Sequence, residues 1–418
     1  MYAKSLHIYG FKCFGKAELA LQYPGRKTGT VSETENINLI LGDNGGGKSS
    51  VLRALAIAVL APALLDSGFV PHRLVRRPKS GSEPVTHALL KVAAVPEKEE
   101  LNPGISVRKN LQMLARIETR PSGSLDRLHL ERTPTSPIAD VIDDELSPAF
   151  FVAGYGATRR VETADYSSGS ERRRRGLRYR RIAGLFEDHV ALRPLQSWLP
   201  KLRSKNLKLH DEAIAKIDGI LPDSIRFRGA FDEQEEQYLF DFEGTPMPFS
   251  SLSDGYKAFV GWVGDLVGHL TDVAGFQKQI DEVKGIVLVD EIDLHLHPAW
   301  QRTVVPTLQR AFPGLQFVLT SHSPLIASSV RKENVFVTDT AEDGTATIKQ
   351  LEEKVYGRSA EDLLLSSYFG LQTTRPDAFV DESSALFNRA AEGDSAAALT
   401  FLEKLAGSGP AKASRGRK

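Results

Sequence analysis

Hydrophobic and polar positions alternate in several short stretches of the chain, and two further stretches are apolar throughout. Residues 6–9 and 17–21 read as two strands joined by a turn through Gly15, and residues 37–41 as a short apolar strand running into a glycine-rich loop. Strand-like patterns recur at 88–95, 111–118, 125–130 and 150–152, which makes the N-terminal part strand-rich. A helical run spans 49–61, with Pro62 as its expected stop, and residues 66–84, rich in Gly, Pro, Ser and Arg, read as a surface loop. Ile214, Ile217 and Leu221 suggest a short amphipathic helix, residues 225–227 and 238–242 two strands around an acidic turn, and 256–270 another helix. The runs 285–289 and 315–319 have the unbroken apolar character of strands covered on both faces of a parallel sheet. Leu192, Leu195, Leu199 and Leu202 are spaced like a heptad, but Pro194 and Pro200 interrupt them, so no long coiled coil is expected.

These elements predict an α/β fold. The expected organisation is a strand-rich N-terminal lobe over 1–156, a helical, basic insertion over 157–245, a second lobe with a mostly parallel sheet over 246–340, and C-terminal helices over 350–405. The small, polar, basic segment 406–418 is expected to be disordered.

The glycine-rich loop carries the most specific chemistry. Gly42, Asn44, Gly45, Gly46, Gly47, Lys48 and Ser49 lie in a full match to G-x-x-x-x-G-K-[ST] that follows an apolar strand and opens a helix. Glycines let successive backbone N–H groups turn inward as an anion cradle, and the helix N-terminus adds partial positive charge. Lys48 places a cation on the terminal phosphates, and the Ser49 hydroxyl ligates Mg2+. The run 285–289 ends in Asp290 and Glu291, two carboxylates delivered to the C-terminal edge of a buried strand, where open α/β sheets bind ligands. There Asp290 would hold Mg2+ and Glu291 would polarise an attacking water. Ser251 to Tyr256 precede a helix that Ser253 can cap, and the N–H groups there together with Gly255 would form a second anion site. His322 ends the second apolar run, within reach of a terminal phosphate. His295 and His297, two residues apart with no cysteine partner, read as structural.

Composition changes this picture little. The 418 residues are 41% hydrophobic and 25% charged with a formal net charge of zero, so attraction to nucleic acid or an anionic membrane has to come from a local patch. Such a patch is expected within 158–208, and the run from Arg172 to Arg181 is the candidate for binding nucleic acid or an acidic partner. Cys13 is the single cysteine, which excludes an internal disulfide and suits a reducing cytoplasm. No stretch approaches 18 uninterrupted apolar residues, so no membrane partner is expected.

Together these motifs resemble the ABC-ATPase superfamily: Gly42–Ser49 looks like Walker A, residues 252–256 like the signature, Asp290–Glu291 like Walker B, Asp293 like the D-loop and His322 like the switch histidine. The opening residues 10–14 and the pairing of DEIDLHLHP with TSHSP resemble the SMC/RecF/OLD branch, without its long coiled coil. Residues 151–159 stand where that family has its Q-loop, but carry no Gln, and Asp254 and Tyr256 replace the signature's usual Gly and Gln. The segment 355–371 resembles the C-terminal helices of stand-alone AAA-type ATPase subunits of bacterial anti-phage systems, Septu in particular; Ser359 and Asp362 in it read as a capping box.

The resemblance implies a two-lobed ABC-ATPase with ATP and Mg2+ as cofactors. ATP is held by Gly42, Asn44, Gly45, Gly46, Gly47, Lys48, Ser49 and Ser50, and is covered by Ser253 and Gly255 of a facing copy. The metal sits on Ser49 and Asp290, with Glu291 and His322 catalytic. It implies an ATP-sandwich homodimer, open to higher assembly, that regulates an effector, a nuclease, with no nuclease activity of its own. The alternatives are a RecF/SMC-like DNA-binding repair ATPase and a nucleotide-gated scaffold with little turnover.

Overall fold

Strands whose residues are buried on both faces need cover on both sides, and the computed structural model supplies it with one long sheet and the helices around it. The structure describes the chain apart from residues 28–31, 66, 79–83, 106–109, 121–124, 130–135, 145–146, 162–175, 235, 276–277 and 408–418. It divides into two compact units, Met1–Leu363 and Leu364–Lys418.

The first unit is built on an eleven-stranded sheet. Its strands are β1 (Tyr2–Phe11), β2 (Phe14–Ala20), β3 (Ile37–Gly42), β4 (His87–Val95), β5 (Leu111–Thr119), β6 (Asp126–His129), β7 (Val152–Tyr155), β8 (Gly285–Val289), β9 (Leu315–Thr320), β10 (Val335–Thr340) and β11 (Ala346–Lys349). In space the order is β6-β5-β4-β1-β2-β11-β10-β3-β9-β8-β7. The first five form an antiparallel meander, with side chains that alternate between buried and exposed. The last five run parallel, and β8 and β9 are buried at every position. This is the α/β architecture expected, a strand-rich part and a parallel part flanked by helices, but the strands from residues 1–156 and 285–349 interleave within a single sheet.

Helix α1 (Lys48–Leu64) follows β3 and is apolar around most of its circumference, with Val51–Leu52 and Ala54–Ala61 all buried. A helix apolar on all sides belongs inside the molecule. The helix passes through Pro62 rather than stopping there. A proline in the last turn removes one hydrogen bond, and the burial of Leu60, Ala61 and Leu64 around it outweighs that loss.

Helix α2 (Asp254–Ala274) lies longer than the sequence pattern indicates, and a four-stranded sheet over Ile225–Pro248 precedes it. The second unit holds helices Asp377–Ala391 and Ser395–Gly407, which meet through the rings of Phe387 and Phe401. Among the described residues no helix is long and apolar enough to cross a membrane.

Candidate functional site

Parallel pairing decides where the site forms. Thr320 pairs with Ile40, and Val289 pairs with both Leu319 and Tyr155, so β3, β9, β8 and β7 finish side by side. Gly42, Ser321–His322, Asp290–Glu291 and Gly156 therefore leave the sheet along one C-terminal edge, the place where sheets of this type bind ligands.

The loop after β3 is built for close approach. Gly42, Gly45 and Gly47 have φ of 141°, 80° and 93°, a region side-chain-bearing residues rarely adopt. A Cβ on Gly42 would fall 2.1 Å from Thr338 Oγ1, and one on Gly47 would fall 2.6 Å from Cys13 Sγ and 2.8 Å from the Phe14 ring. Asp43, Asn44 and Gly45 form the exposed tip, while Ser49 and Ser50 lie half-buried in the first turn of α1. Lys48 is buried, and its Nζ donates to Gly42 O at 2.9 Å and Asp43 O at 2.8 Å. Burial pulls the Lys48 ammonium below its ordinary pKa, and the opposing attraction comes from Asp290, Glu291, Asp43 and Asp293 in that order. The lysine and the carboxylates after β8 thus share one electrostatic environment.

Those carboxylates are held by hydrogen bonds that the sequence does not announce. Thr320 Oγ1 donates to Asp290 Oδ1 at 2.6 Å and accepts from Glu291 N at 2.7 Å. Glu291 sits in the left-handed region with φ 48°, at a cost of about 1 kcal/mol for a residue with a Cβ. Asp293 Oδ2 accepts from His322 N at 3.4 Å. Asp293 Oδ1 and His322 Nε2 are buried with no hydrogen-bond partner. Orphaned polar atoms of this kind cost free energy unless a ligand satisfies them. The Ser323 hydroxyl accepts from Leu325 N and Ile326 N and donates to Gln301 Oε1 at 2.7 Å, which fixes the backbone next to His322. His297 has a structural part: its Nδ1 accepts from Ala299 N and caps the helix Pro298–Gln301.

The structure places Ser253 at the N-cap position of α2, but its hydroxyl makes no capping hydrogen bond and the residue is exposed. With φ −63° and ψ 156° its backbone is extended, and the exposed residue stands at the helix's amide end. Gly255 lies against the segment after β8, since a Cβ there would fall 2.4 Å from His295 O. Ser359 Oγ accepts from Asp362 N at 3.1 Å, one half of the expected capping box.

The basic run needs correction where it is described. Arg172–Arg175 lie outside the described residues, but Arg178 and Tyr179 are buried within the helix Leu177–Ile182. Arg178 donates to the carbonyls of Ile142, Val141 and Asp144 at 2.6, 3.1 and 2.9 Å, closing the C-terminal end of the helix Ala139–Asp143. Tyr179 donates to Glu187 Oε1 at 2.5 Å. Arg181 packs over the Phe151 ring, and burial lowers its guanidinium to about 10. These three side chains serve the interior, so they are not a nucleic-acid surface; among the described residues the exposed Lys and Arg of the same basic stretch are Arg160, Lys201, Arg203, Lys205 and Lys208. Arg178→Ala leaves three carbonyls short of a charged donor and is expected to destabilise the fold by about 3 kcal/mol, read from urea unfolding. A change under about 0.5 kcal/mol, the range of ordinary surface substitutions, would contradict the buried role.

The fit to a nucleotide with its metal is supported by this chain's own atoms: a buried lysine, an inward-turned glycine loop at a helix N-terminus, a carboxylate pair, and two unpartnered polar atoms. The chain is similar to several known proteins. A family model described as "AAA domain, putative AbiEii toxin, Type IV TA system" matches residues 37–328, and a second AAA-domain model matches residues 5–63. The Septu protein PtuA of Bacillus mycoides (strain KBAB4) is 26% identical over 380 residues, covering 90% of this chain and 46% of that protein. The "Retron Vc95 probable ATPase" of Vibrio cholerae serotype O1 biovar El Tor is 35% identical over 121 residues, 29% of this chain and 23% of that protein. The chain thus spans about half the length, or less, of these curated relatives. The SMC head domain from Thermotoga maritima aligns with a TM-score of 0.46 at 15% identity, covering 84% of this chain and all of that one. The first family model runs from β3 through the phosphate-type loop, the carboxylates after β8 and His322, well over half of the sequence, and the chain belongs to this AAA-domain family of ATPases.

Proposed function

We propose that the chain binds ATP with Mg2+ on Gly42–Ser50, closes head-to-tail with a second copy, hydrolyses the nucleotide, and through that cycle regulates a nuclease effector in bacterial anti-phage defence. The observation that carries this reading is the meeting, at one sheet edge, of the buried Lys48 with Asp290, Glu291 and Asp293. Mg2+–ATP would supply an activated γ-phosphoryl group, with Ser49 and Asp290 as the metal's ligands. The loop amides and Lys48 would neutralise the β- and γ-phosphates, and Glu291 would orient a water and take up its proton. His322 Nε2 and Asp293 Oδ1, both buried without partners, would gain theirs from the phosphate and its surrounding water.

The second copy enters because Ser253 and Gly255 open a helix whose amide end faces outward. That end suits the phosphates of a nucleotide held by another chain. The likeness to the Septu protein and to a retron ATPase supports the defence role. Mg2+-dependent ATP turnover by the purified chain tests the reading. Ser253→Arg should leave nucleotide affinity within a few-fold but stop both turnover and ATP-dependent self-association. Full turnover in Ser253→Arg would remove the facing segment from the site. A nuclease that co-purifies with the chain would support the effector, and a complex lacking any nuclease would count against it.

A further inference from the structure

One arginine ties the strand end that carries the carboxylates to the end of its neighbour β7. Arg159 lies three residues past Gly156, and its Nε donates to Gly156 O at 3.1 Å. Its Nη2 donates to the carbonyls of Asp290 and of Glu291, the latter at 2.9 Å. The guanidinium lies over the Trp262 ring of α2, 5.9 Å from its centroid. A single planar group therefore joins the end of β7, the turn after β8 and the helix that Ser253 opens. The sequence offers no Gln in this segment, and the arginine occupies the place next to the reacting carboxylates instead.

What this grip does follows from the backbone of Glu291. Its N–H is held by Thr320 Oγ1 and its C=O by Arg159, while its φ of 48° lies in the left-handed region. A residue in that conformation stays there only while its surroundings hold it. Released from Arg159, the peptide would relax and the carboxylate would swing off its present direction. Lys48 donates to Gly42 O and Asp43 O, and neither it nor the loop Gly42–Ser50 forms a hydrogen bond with Arg159 among those described, so the phosphate cradle is held by contacts other than those of Arg159.

We infer that Arg159 is the positioning residue for Glu291: it holds the Asp290–Glu291 turn so that the Glu291 carboxylate faces the attacking water. The inference rests on the proposed role of Glu291. Burial lowers the guanidinium to about 10, with Asp290 foremost among the carboxylates that counter the shift. A neutral replacement would lose both the guanidinium and its fork on the two carbonyls.

The test is a double-mutant cycle on the full chain with ATP and Mg2+, reading kcat, KM and the Kd for a fluorescent ATP analogue. Arg159→Ala should lower kcat by roughly 10²-fold while KM and Kd change less than about threefold, since only the transition-state geometry is lost. Arg159→Lys should recover part of kcat, because a single ammonium reaches one carbonyl but cannot fork. Combined with Glu291→Gln, Arg159→Ala should cost little more, because both changes remove the same function. Additive losses in the double variant, or matched losses in kcat and nucleotide affinity, would overturn the inference. If Arg159→Ala does not fold, the same cycle with Arg159→Lys decides by the same criteria. Normal turnover in Glu291→Gln alone would instead refute the reading of the site, whereas a dead Glu291→Gln beside an active Arg159→Ala would refute the positioning role only.

Discussion

Glu291→Gln is expected to hold ATP and hardly turn it over. The substitution keeps the side chain's size and leaves the Thr320 contact to Glu291 N and the Arg159 contact to Glu291 O intact, because both are made to the backbone. It removes only the charge that makes a bound water nucleophilic. Losing a general base costs about 10²-fold or more in turnover. Nucleotide affinity should survive, since Lys48, the loop amides and Asp290 are untouched. Asp290→Asn should differ: its Oδ1 accepts from Thr320 and the side chain is buried, so neutralising it should weaken Mg2+-dependent binding itself. ATP turnover measured beside equilibrium binding separates the two variants. Near-normal turnover in Glu291→Gln would move the chemistry to Asp293 or His322.

Lys48→Ala is expected to abolish nucleotide binding at ordinary concentrations. The ammonium is already placed by Gly42 O and Asp43 O, so little ordering is needed when a phosphate arrives. Each charge-assisted hydrogen bond lost is worth about 1.5–3 kcal/mol, and two phosphates lose their cation together. At about 1.4 kcal/mol per tenfold, the affinity should fall by at least roughly 10²-fold. The variant should also lose the rise in melting temperature that ATP gives a protein it binds. A Kd within a few-fold of the unmodified chain would show that the phosphates sit elsewhere.

Much of this was legible in the sequence because it depends on local patterns. Apolar runs at 285–289 and 315–319 are buried parallel strands, and the glycine–lysine loop follows a strand and opens a helix as its motif requires. Other features depend on backbone groups distant in the chain, which leave no pattern. Arg178 lies in a charge run that reads as a patch for nucleic acid or an acidic partner, yet its acceptors are carbonyls 34 to 37 residues earlier. Arg159 acts on carbonyls more than 130 residues away, and any sequence supplies a carbonyl. Thr320 had a signal, a hydroxyl closing an apolar run beside His322, but its grip on Asp290 appears only when β8 and β9 pair. Thr338, against Gly42, lies on β10, whose half-exposed end hides its strand character. Pro62 misled because its local cost is outweighed by packing that surrounds α1.

The reading stands or falls on whether ATP joins two copies of this chain. Light scattering on Glu291→Gln, with and without ATP and Mg2+, measures that directly. With nucleotide the mass should rise to at least twice that of one chain, and Lys48→Ala and Ser253→Arg placed in the same background should each abolish the rise. A strictly monomeric mass at saturating ATP, from protein whose unmodified form hydrolyses ATP, would contradict the account.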